Sequence, residues 1–238
     1  MKLLPDLSRR AEHVHEDMDA LDGDLTKLHR TYAYFPIINA AVSGWRLLYL
    51  RYIRPHLSPT RMTTLLDIGC GGGDVAANLI RWADADGLRL SVTGIDTDPR
   101  AIEYASSLPP YAGLRFYNVS SHELVEQGQT FDLVISNHML HHLTDAEIPA
   151  LLDDCRRLAR REVILSDVSR RRASYLLFAA LTAPFFPNSF IRKDGLTSLR
   201  RAFTADELRE RLPEGWLYQP QFFQRHLLRY VAPGPDVH

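Results

Sequence analysis

Short apolar runs alternate with amphipathic stretches through the middle of the chain. TTLLDIG (residues 63–69) is a compact apolar run typical of a buried parallel strand, and DVAANLIRWADAD (residues 74–86) has its apolar residues at helical spacing. The same criteria predict strands at 88–96, 114–119, 131–136 and 162–167, and helices at 99–108 and 145–160. Strands that alternate with helices predict an α/β fold, in which helices cover both faces of a parallel sheet.

The first 60 residues follow a different pattern. They carry no strand signal, and the stretch that ends with RYIRP is predicted to be helical. Proline removes a backbone donor and clashes with the preceding turn, so the helix is expected to be interrupted near Pro36 and to stop at Pro55. Residues 1–60 are therefore predicted to form a helical N-terminal segment outside the sheet.

The alternation also lapses after residue 167. Residues 169–201 are first basic and then apolar, and a helix is predicted after them at 204–212 because Thr204 and Glu207 have the spacing of a capping box. The segments GWLYQPQFF and RHLLRYVA predict a terminal hairpin. Pro220 disfavours a central position for the first of these strands.

Composition narrows the function classes. A length of 238 residues allows one large domain, with or without a small appendage, and a net charge of −1 gives no global attraction to nucleic acid or anionic membranes. The two cysteines, Cys70 and Cys155, fit a reduced, cytoplasmic protein better than a disulfide framework. Because Pro184 and Pro187 interrupt the most apolar window, residues 173–191, no stable membrane insertion is expected.

The strongest chemical signal is LLDIGCGGGD, residues 65–74. Gly69, Gly71 and Gly73 lie between a predicted strand and a predicted helix, where glycine permits positive φ and close approach of a ligand to the backbone. Asp96 ends the next strand, a position from which a carboxylate accepts hydrogen bonds from ribose hydroxyls. This combination predicts a nucleoside-binding site.

Acidic residues at the same loop distinguish between nucleoside ligands. The spacing G-x-G-x-G differs from the G-x-G-x-x-G of dinucleotide sites, and Asp67 and Asp74 would repel a pyrophosphate. A ligand with a ribose, no phosphate and positive charge fits better. S-adenosyl-L-methionine (SAM), with its sulfonium and ammonium groups, has this character.

DIGCGGG, GIDTDP, FDLVISNHMLHHL and VILSDV together resemble class I SAM-dependent methyltransferases over roughly residues 63–167. The resemblance implies a Rossmann-like, mostly parallel seven-stranded sheet with an antiparallel last strand. It also implies a helical N-terminal lid over residues 1–60 and a methyltransferase domain over 61–238, with SAM as cofactor and S-adenosyl-L-homocysteine (SAH) as product. Ser120 lies near a position where this family often has an Asp that meets adenine. The cofactor-binding residues that the resemblance implies are Asp67, Gly69, Cys70, Gly71, Asp96, Thr97, Ser120 and Asn137.

Three histidines follow the fourth predicted strand: His138, His141 and His142. Their spacing can share a helix face, but no further metal-ligand motif accompanies them, and methyl transfer from SAM does not generally need a metal. No metal site is therefore expected. A histidine, with a pKa near ~6.5, is suited to accept a proton from a hydroxyl, so His141 and His142 are candidate catalytic bases. Packing within the loop is the alternative role for each.

The apolar residues at 169–201 are predicted to cap the substrate pocket. Phe178, Phe185, Phe186 and Phe190 would suit an aromatic or lipid-like acceptor, and core packing is the alternative. Arginines near 156–161 and 170–172 would suit RNA, but no N-P-P-Y-type motif follows the fourth strand, so no nucleic acid is expected. On the N-terminal helices, the candidates to meet the methionine carboxylate are Lys27, His29, Arg30, Tyr32 and Tyr34.

We therefore predict an enzyme that transfers a methyl group from SAM to a small hydrophobic acceptor. A phenolic hydroxyl of a polyketide-, quinone- or lipid-like secondary metabolite is the preferred acceptor. The alternatives are methylation of carbon, nitrogen or RNA, a nicotinamide-dependent oxidoreductase and a non-catalytic SAM-binding protein. Both a monomer and a homodimer are compatible with the sequence.

Overall fold

A single seven-stranded sheet organises the protein. The computed structural model describes residues 5–182, 185–221 and 224–233. In these ranges the strands are β1 (Thr63–Ile68), β2 (Leu90–Asp96), β3 (Leu114–Asn118), β4 (Phe131–Asn137), β5 (Ala159–Val168), β6 (Trp216–Gln221) and β7 (Arg225–Val231). Their order is β3-β2-β1-β4-β5-β7-β6, and β7 is antiparallel to both of its neighbours. The predicted α/β fold with an antiparallel last strand is confirmed.

Nine α-helices surround this sheet in the described ranges. They are α1 (Leu25–Val42), α2 (Trp45–Leu48), α3 (Asp74–Ala85), α4 (Pro99–Ser107), α5 (Ser121–Glu126), α6 (Glu147–Leu158), α7 (Arg172–Thr182), α8 (Ile191–Arg201) and α9 (Ala205–Arg211). Helices α5, α7 and α8 were not predicted; α5 is too short to show a helical period. Across the described residues, none of the helices combines the length and apolarity needed to cross a bilayer.

The core has two apolar layers, one on each face of the sheet. Leu65 and Leu66 of β1 are both fully buried but belong to opposite layers, because successive side chains of a strand point to opposite faces. Leu152 of α6 packs in one layer, and Leu79 of α3 packs in the other. Burial on both faces explains why the central strands are continuous apolar runs rather than alternating ones.

The predicted interruption of the N-terminal helix at Pro36 is wrong. Pro36 lies inside α1, on its exposed side, and the helix continues to Val42. The break comes at Gly44, whose φ of 70° is left-handed and therefore ends the helical path. Because Leu28 and Tyr32 are buried by tertiary packing, that packing offsets the single backbone hydrogen bond that proline removes.

The predictions for the C-terminal part are confirmed. Thr204 caps α9, and its backbone N–H donates to Glu207 Oε2 at 2.8 Å. The terminal hairpin forms β6 and β7. Pro220 is tolerated because β6 is the edge strand of the sheet.

Gly73, at the start of α3, is a stability determinant. It has φ of 77°, and an added Cβ would lie 2.5 Å from Phe116 Cζ. We expect Gly73→Ala to lower the free energy of unfolding by about 2–4 kcal/mol, from backbone strain and overpacking together. Urea denaturation measures this change. Gly87→Ala is the control, because Gly87 has φ of 68° with no atom within 4 Å; equal losses in the two variants would disprove the packing contribution.

Candidate active site

A cleft opens at the carboxyl ends of β1, β2 and β4, where open parallel sheets bind their ligands. Its volume is about 930 Å³, in the upper part of the range of small-molecule pockets, ~300–1,000 Å³. The structure brings the sequence-predicted site residues together along this cleft. They are Asp67, Gly69, Cys70, Gly71, Asp96, Thr97, Ser120, Asn137, His141 and His142.

The glycine loop is tied to the end of β2. The backbone N–H groups of Gly69 and Cys70 both donate to Ile95 O, at 2.8 and 3.0 Å. Gly71 N donates to Asp96 Oδ2 and Asp98 N donates to Asp96 Oδ1, each at 2.9 Å. Two backbone donors therefore fix the orientation of the Asp96 carboxylate at the wall of the cleft.

Three carboxyl groups surround the loop. Burial, together with the charges of Asp74 and Asp96, raises the pKa of Asp67 well above its usual range, and Asp67 Oδ2 has no hydrogen-bond partner among the described residues. Burial also raises the pKa of Asp74 and that of Asp96. Asp74 accepts a hydrogen bond from Asn39 Nδ2 at 2.9 Å. A positively charged ligand group would stabilise the ionised form of these acids.

Ser120 and Thr97 lie at the edge of the cleft. Ser120 caps α5: its Oγ accepts from Glu123 N at 3.2 Å and donates to Glu123 Oε2 at 2.7 Å. Thr97 is exposed. The Ser120 hydroxyl is thus already used by the helix cap, which limits what it can offer to a ligand.

His141 is buried within an ion-pair network. It is 1% exposed, its Nδ1 lies 2.8 Å from Asp167 Oδ1, and its Nε2 lies 3.3 Å from Glu16 Oε1. Burial alone lowers the pKa of His141, but the Asp167 and Glu16 carboxylates outweigh it and raise the pKa to about 9. His141 is therefore a cation between two carboxylates at neutral pH.

His142 is the more accessible of the two histidines. Its ring centroid lies 4.3 Å from that of His141. Its Nδ1 lies 3.2 Å from Asp19 Oδ2 and its Nε2 lies 3.9 Å from Glu16 Oε2. The half-buried ring lines the cleft, with Asp19 close to Nδ1 and Glu16 farther from Nε2. A cleft-lining histidine oriented by a carboxylate is a candidate general base.

Glu16 and Asp19 belong to a segment that we call the strap, residues 10–20. Arg10 donates to the carbonyl oxygens of His141 and Leu143, which attaches the strap to the histidine loop. Asp194 of α8 accepts hydrogen bonds from two strap amides, at 3.0 and 2.9 Å. These carboxylates were not predicted from the sequence, since the EDMD stretch (residues 16–19) matches no motif and its only signal is three acids within four residues near the chain start.

Arg201, at the end of α8, secures the same loop. Its guanidinium donates to the carbonyl oxygens of His141 at 3.1 Å and His142 at 2.9 Å, although only 5% of the residue is exposed. Arg201 also donates to Val14 O in the strap. Loop, strap and α8 are thus joined by one buried guanidinium.

The phenylalanines of the predicted cap do not line the cleft. Phe185 is 62% exposed, Phe186 packs its ring against Tyr34, and Phe190 is buried beside Leu28. Phe178 packs over Gly195. Of residues 169–182 and 185–201, Ser198 and Arg201 reach the cleft. The strap side of the cleft is mixed instead: Glu12, His15, Glu16, Asp19 and Glu147 line it together with apolar residues such as Met18, Leu21 and Leu143.

Among the N-terminal candidates, Tyr32 is the one that lines the cleft. It packs over the glycine loop, where an added Cβ at Gly72 would lie 2.9 Å from Tyr32 Cβ. Lys27 lies over the Phe190 ring, and His29 contacts the Tyr104 ring. These two exposed residues thus contact aromatic rings and do not line the cleft.

Two histidine–carboxylate groups have ligand atoms within 4.8 Å of one another: Glu16 with His141 and His142, and His138 with His141 and Asp167. His141 belongs to both groups. Since its protonated ring pairs with a carboxylate on each side, charge balance within the network accounts for the clustering without a metal ion.

The His141 network predicts a pH dependence of stability. The ring is protonated in both states below pH 6.5, so its contribution is fully present there and is lost as the pH rises to about 9. This difference corresponds to about 3 kcal/mol. We expect the free energy of unfolding, measured by urea denaturation, to fall across this interval. His141→Gln should be less stable with a flatter profile, and parallel profiles for the two proteins would contradict the assignment.

A family profile described as "Methyltransferase domain" matches residues 65–162. Two ubiquinone biosynthesis O-methyltransferases from strains of Rhizobium etli are 30% and 29% identical over 149 and 128 residues. These alignments cover 57% and 51% of this chain, and 57% and 48% of the relatives. The chain thus spans about half the length of the curated relatives it matches.

Solved structures share the fold. The plantazolicin methyltransferase BpumL in complex with SAH has a TM-score of 0.62 at 14% identity, with 90% of this chain and 92% of that chain covered. Human N-acetylserotonin methyltransferase in complex with SAM also has a TM-score of 0.62, at 12% identity, with 89% and 57% covered. At such identities the similarity establishes the fold alone.

Proposed function

We propose that the protein, whose residues 65–162 match a family profile described as "Methyltransferase domain", is a class I SAM-dependent methyltransferase that transfers a methyl group from SAM to a hydroxyl of a small acceptor. The observation that carries the proposal is the Asp96 carboxylate, which two backbone amides orient beside the glycine loop. A carboxylate at this position can accept hydrogen bonds from both hydroxyls of a ribose.

The charge of the cleft supports SAM over a dinucleotide. The raised pKa values of Asp67, Asp74 and Asp96, together with the unpartnered Oδ2 of Asp67, show that the ionised forms of these acids lack a stabilising cation. A sulfonium and an ammonium group would balance that charge, whereas a pyrophosphate would add to the repulsion. The cleft residues present therefore fit SAM.

We assign the proton transfer to His142. SAM, when bound, would supply an electrophilic methyl group, which the acceptor oxygen attacks in line with the departing sulfur. Asp19 Oδ2 lies 3.2 Å from Nδ1 and orients the His142 ring, so that Nε2 takes the proton as the acceptor oxygen forms its bond to carbon. The electrons of the broken carbon–sulfur bond remain on sulfur. His141, ionised and buried, holds Glu16 and the loop backbone in place.

The acceptor class follows from the relatives and from the cleft. The relatives carry the name of ubiquinone biosynthesis O-methyltransferases, which favours a phenolic or quinol hydroxyl on a polyketide-, quinone- or lipid-like molecule. The polar members of the mixed cleft lining, among them Glu12, His15 and Glu147, support an acceptor ring that carries further oxygen substituents. A polyphenol of small size is the acceptor we propose.

Calorimetry with SAM and with NAD tests the cofactor, and SAH formation with a panel of mono- and polyphenols tests the reaction. We expect SAM to bind, NAD not to bind, and SAH to accumulate fastest with a polyphenol. Binding of NAD without SAM would refute the proposal. SAM binding with no turnover on any phenol, together with turnover on an amine or carbon acid, would refute the oxygen acceptor.

A further inference from the structure

Arg225 lies buried behind the cleft wall and was not among the site residues predicted from the sequence. It begins β7 and is 3% exposed. Its Nη1 lies 2.7 Å from His138 Nε2, its Nη2 donates to Asn137 Oδ1 at 2.8 Å, and its Nε donates to Ser166 Oγ at 3.2 Å. One guanidinium therefore contacts both residues at the end of β4.

The contact with Arg225 fixes the chemical state of His138. A guanidinium donates and never accepts, so His138 Nε2 must accept and the ring proton must lie on Nδ1. Burial, reinforced by the positive charge of Arg225, holds the pKa of His138 well below its usual range, and the ring is therefore neutral. The φ of 60° at His138 sets the direction in which the ring leaves the backbone.

The same argument fixes the amide of Asn137. The atom that faces Arg225 must be the oxygen, so Nδ2 is turned away from the guanidinium. Nδ2 has no hydrogen-bond acceptor among the described residues, and both Asn137 and His138 line the cleft. An N–H donor of Asn137 is thus presented at the wall of the cleft.

We propose that Arg225 is a positioning residue that fixes the Asn137 amide and the His138 tautomer, so that the Asn137 Nδ2–H is offered to an oxygen of the bound ligand while His138 Nδ1 lies 4.0 Å from Asp167 Oδ1. This role rests on the proposed function, because the ligand that would accept the hydrogen bond is SAM or its product SAH. Lysine cannot replace arginine here, since a single ammonium does not reproduce the planar fork that reaches three acceptors.

The test compares Arg225→Lys with Arg229→Lys. Arg229 lies on the same strand, donates to Glu162 Oε1 and packs over the Tyr52 ring, and it does not line the cleft. We expect Arg225→Lys to weaken SAH binding by about tenfold or more, and Arg229→Lys to change it by less than about twofold. Calorimetry with SAH measures both, and Arg225→Ala with added guanidinium ion should recover affinity.

Nitrogen-15 NMR of the histidines separates positioning from folding. In the wild type, His138 should be the neutral Nδ1–H tautomer, and in Arg225→Lys a mixture of tautomers should appear. An Nε2–H tautomer in the wild type, or unchanged tautomer and SAH affinity in Arg225→Lys, would overturn the inference. Loss of affinity in Arg225→Ala that guanidinium does not restore, with a wild-type tautomer in Arg225→Lys, would also overturn it. Failure of the wild type to bind SAH would instead sink the proposed function, and the tautomer would still decide the role of Arg225.

Discussion

Replacement of Asp96 by alanine is expected to weaken SAM binding by about a hundredfold or more. Two hydrogen bonds from a ribose to a charged acceptor are each worth about 1.5–3 kcal/mol. Their combined loss of about 3–6 kcal/mol corresponds to a hundredfold or larger loss of affinity. The variant also frees the N–H of Gly71, which Asp96 Oδ2 holds in the wild type. Isothermal titration with SAM gives the affinity directly.

Two companion variants sharpen the Asp96 result. Asp96→Asn keeps a side-chain oxygen for one backbone donor, and we expect an intermediate loss. Asp98→Asn removes a neighbouring carboxylate that is already paired with Arg100, so its affinity should stay within about threefold of the wild type. Full affinity in Asp96→Ala would disprove the ribose contact, whatever the other two variants do.

Replacement of His142 by alanine is expected to lower turnover by about 10²–10⁴-fold, the usual contribution of a positioned general base. SAM affinity should not change, because the ring accepts a proton from the acceptor rather than contacting the ribose. Turnover should recover partly at high pH, where a phenolic acceptor ionises without help. Initial rates of SAH formation against pH, with saturating SAM and the best phenol of the panel, provide the measurement.

His122→Ala is the matched control for His142→Ala. His122 also lines the cleft, and 66% of its side chain is exposed beside Glu126 and Asp154. It should keep most of the turnover. If His142→Ala retains the wild-type rate at every pH, the base hypothesis is wrong. A lower rate in Asp19→Asn at an unchanged SAM affinity would support the orienting role of Asp19, since that variant weakens the contact with Nδ1.

The sequence predicted the parts of the fold that local pattern determines. Strands buried on both faces must be apolar throughout, and a loop with positive φ at Gly69, Gly71 and Gly73 requires glycine. That the glycine loop, Asp96 and Asn137 lie along one cleft was predictable too, because each lies at or directly after the end of a parallel strand. The path of α1 through Pro36 was not, because packing of Tyr32 outweighs one lost hydrogen bond.

The long-range contacts around the histidine loop could not be predicted from local sequence patterns. Glu16 lies about half the chain length before His141, and Arg225 lies 87 residues after His138. These contacts depend on where the strap and β7 return to the sheet, which no short motif encodes. The apolar stretch in 169–201 illustrates the converse: its composition indicated a pocket lining, but its phenylalanines pack against helices or face outward.

The residues of the candidate site come from two parts of the chain, one inside and one outside the region that matches the family profile. The region that matches the methyltransferase family, residues 65–162, carries the glycine loop, Asp96 and the two histidines. The carboxylates that flank those histidines, Glu16, Asp19 and Asp167, all lie outside it. If the proposed function holds, changes in the strap should alter the choice of acceptor while the glycine loop and Asp96 stay intact, and a graft of residues 10–20 from a relative is a route to new acceptor specificity.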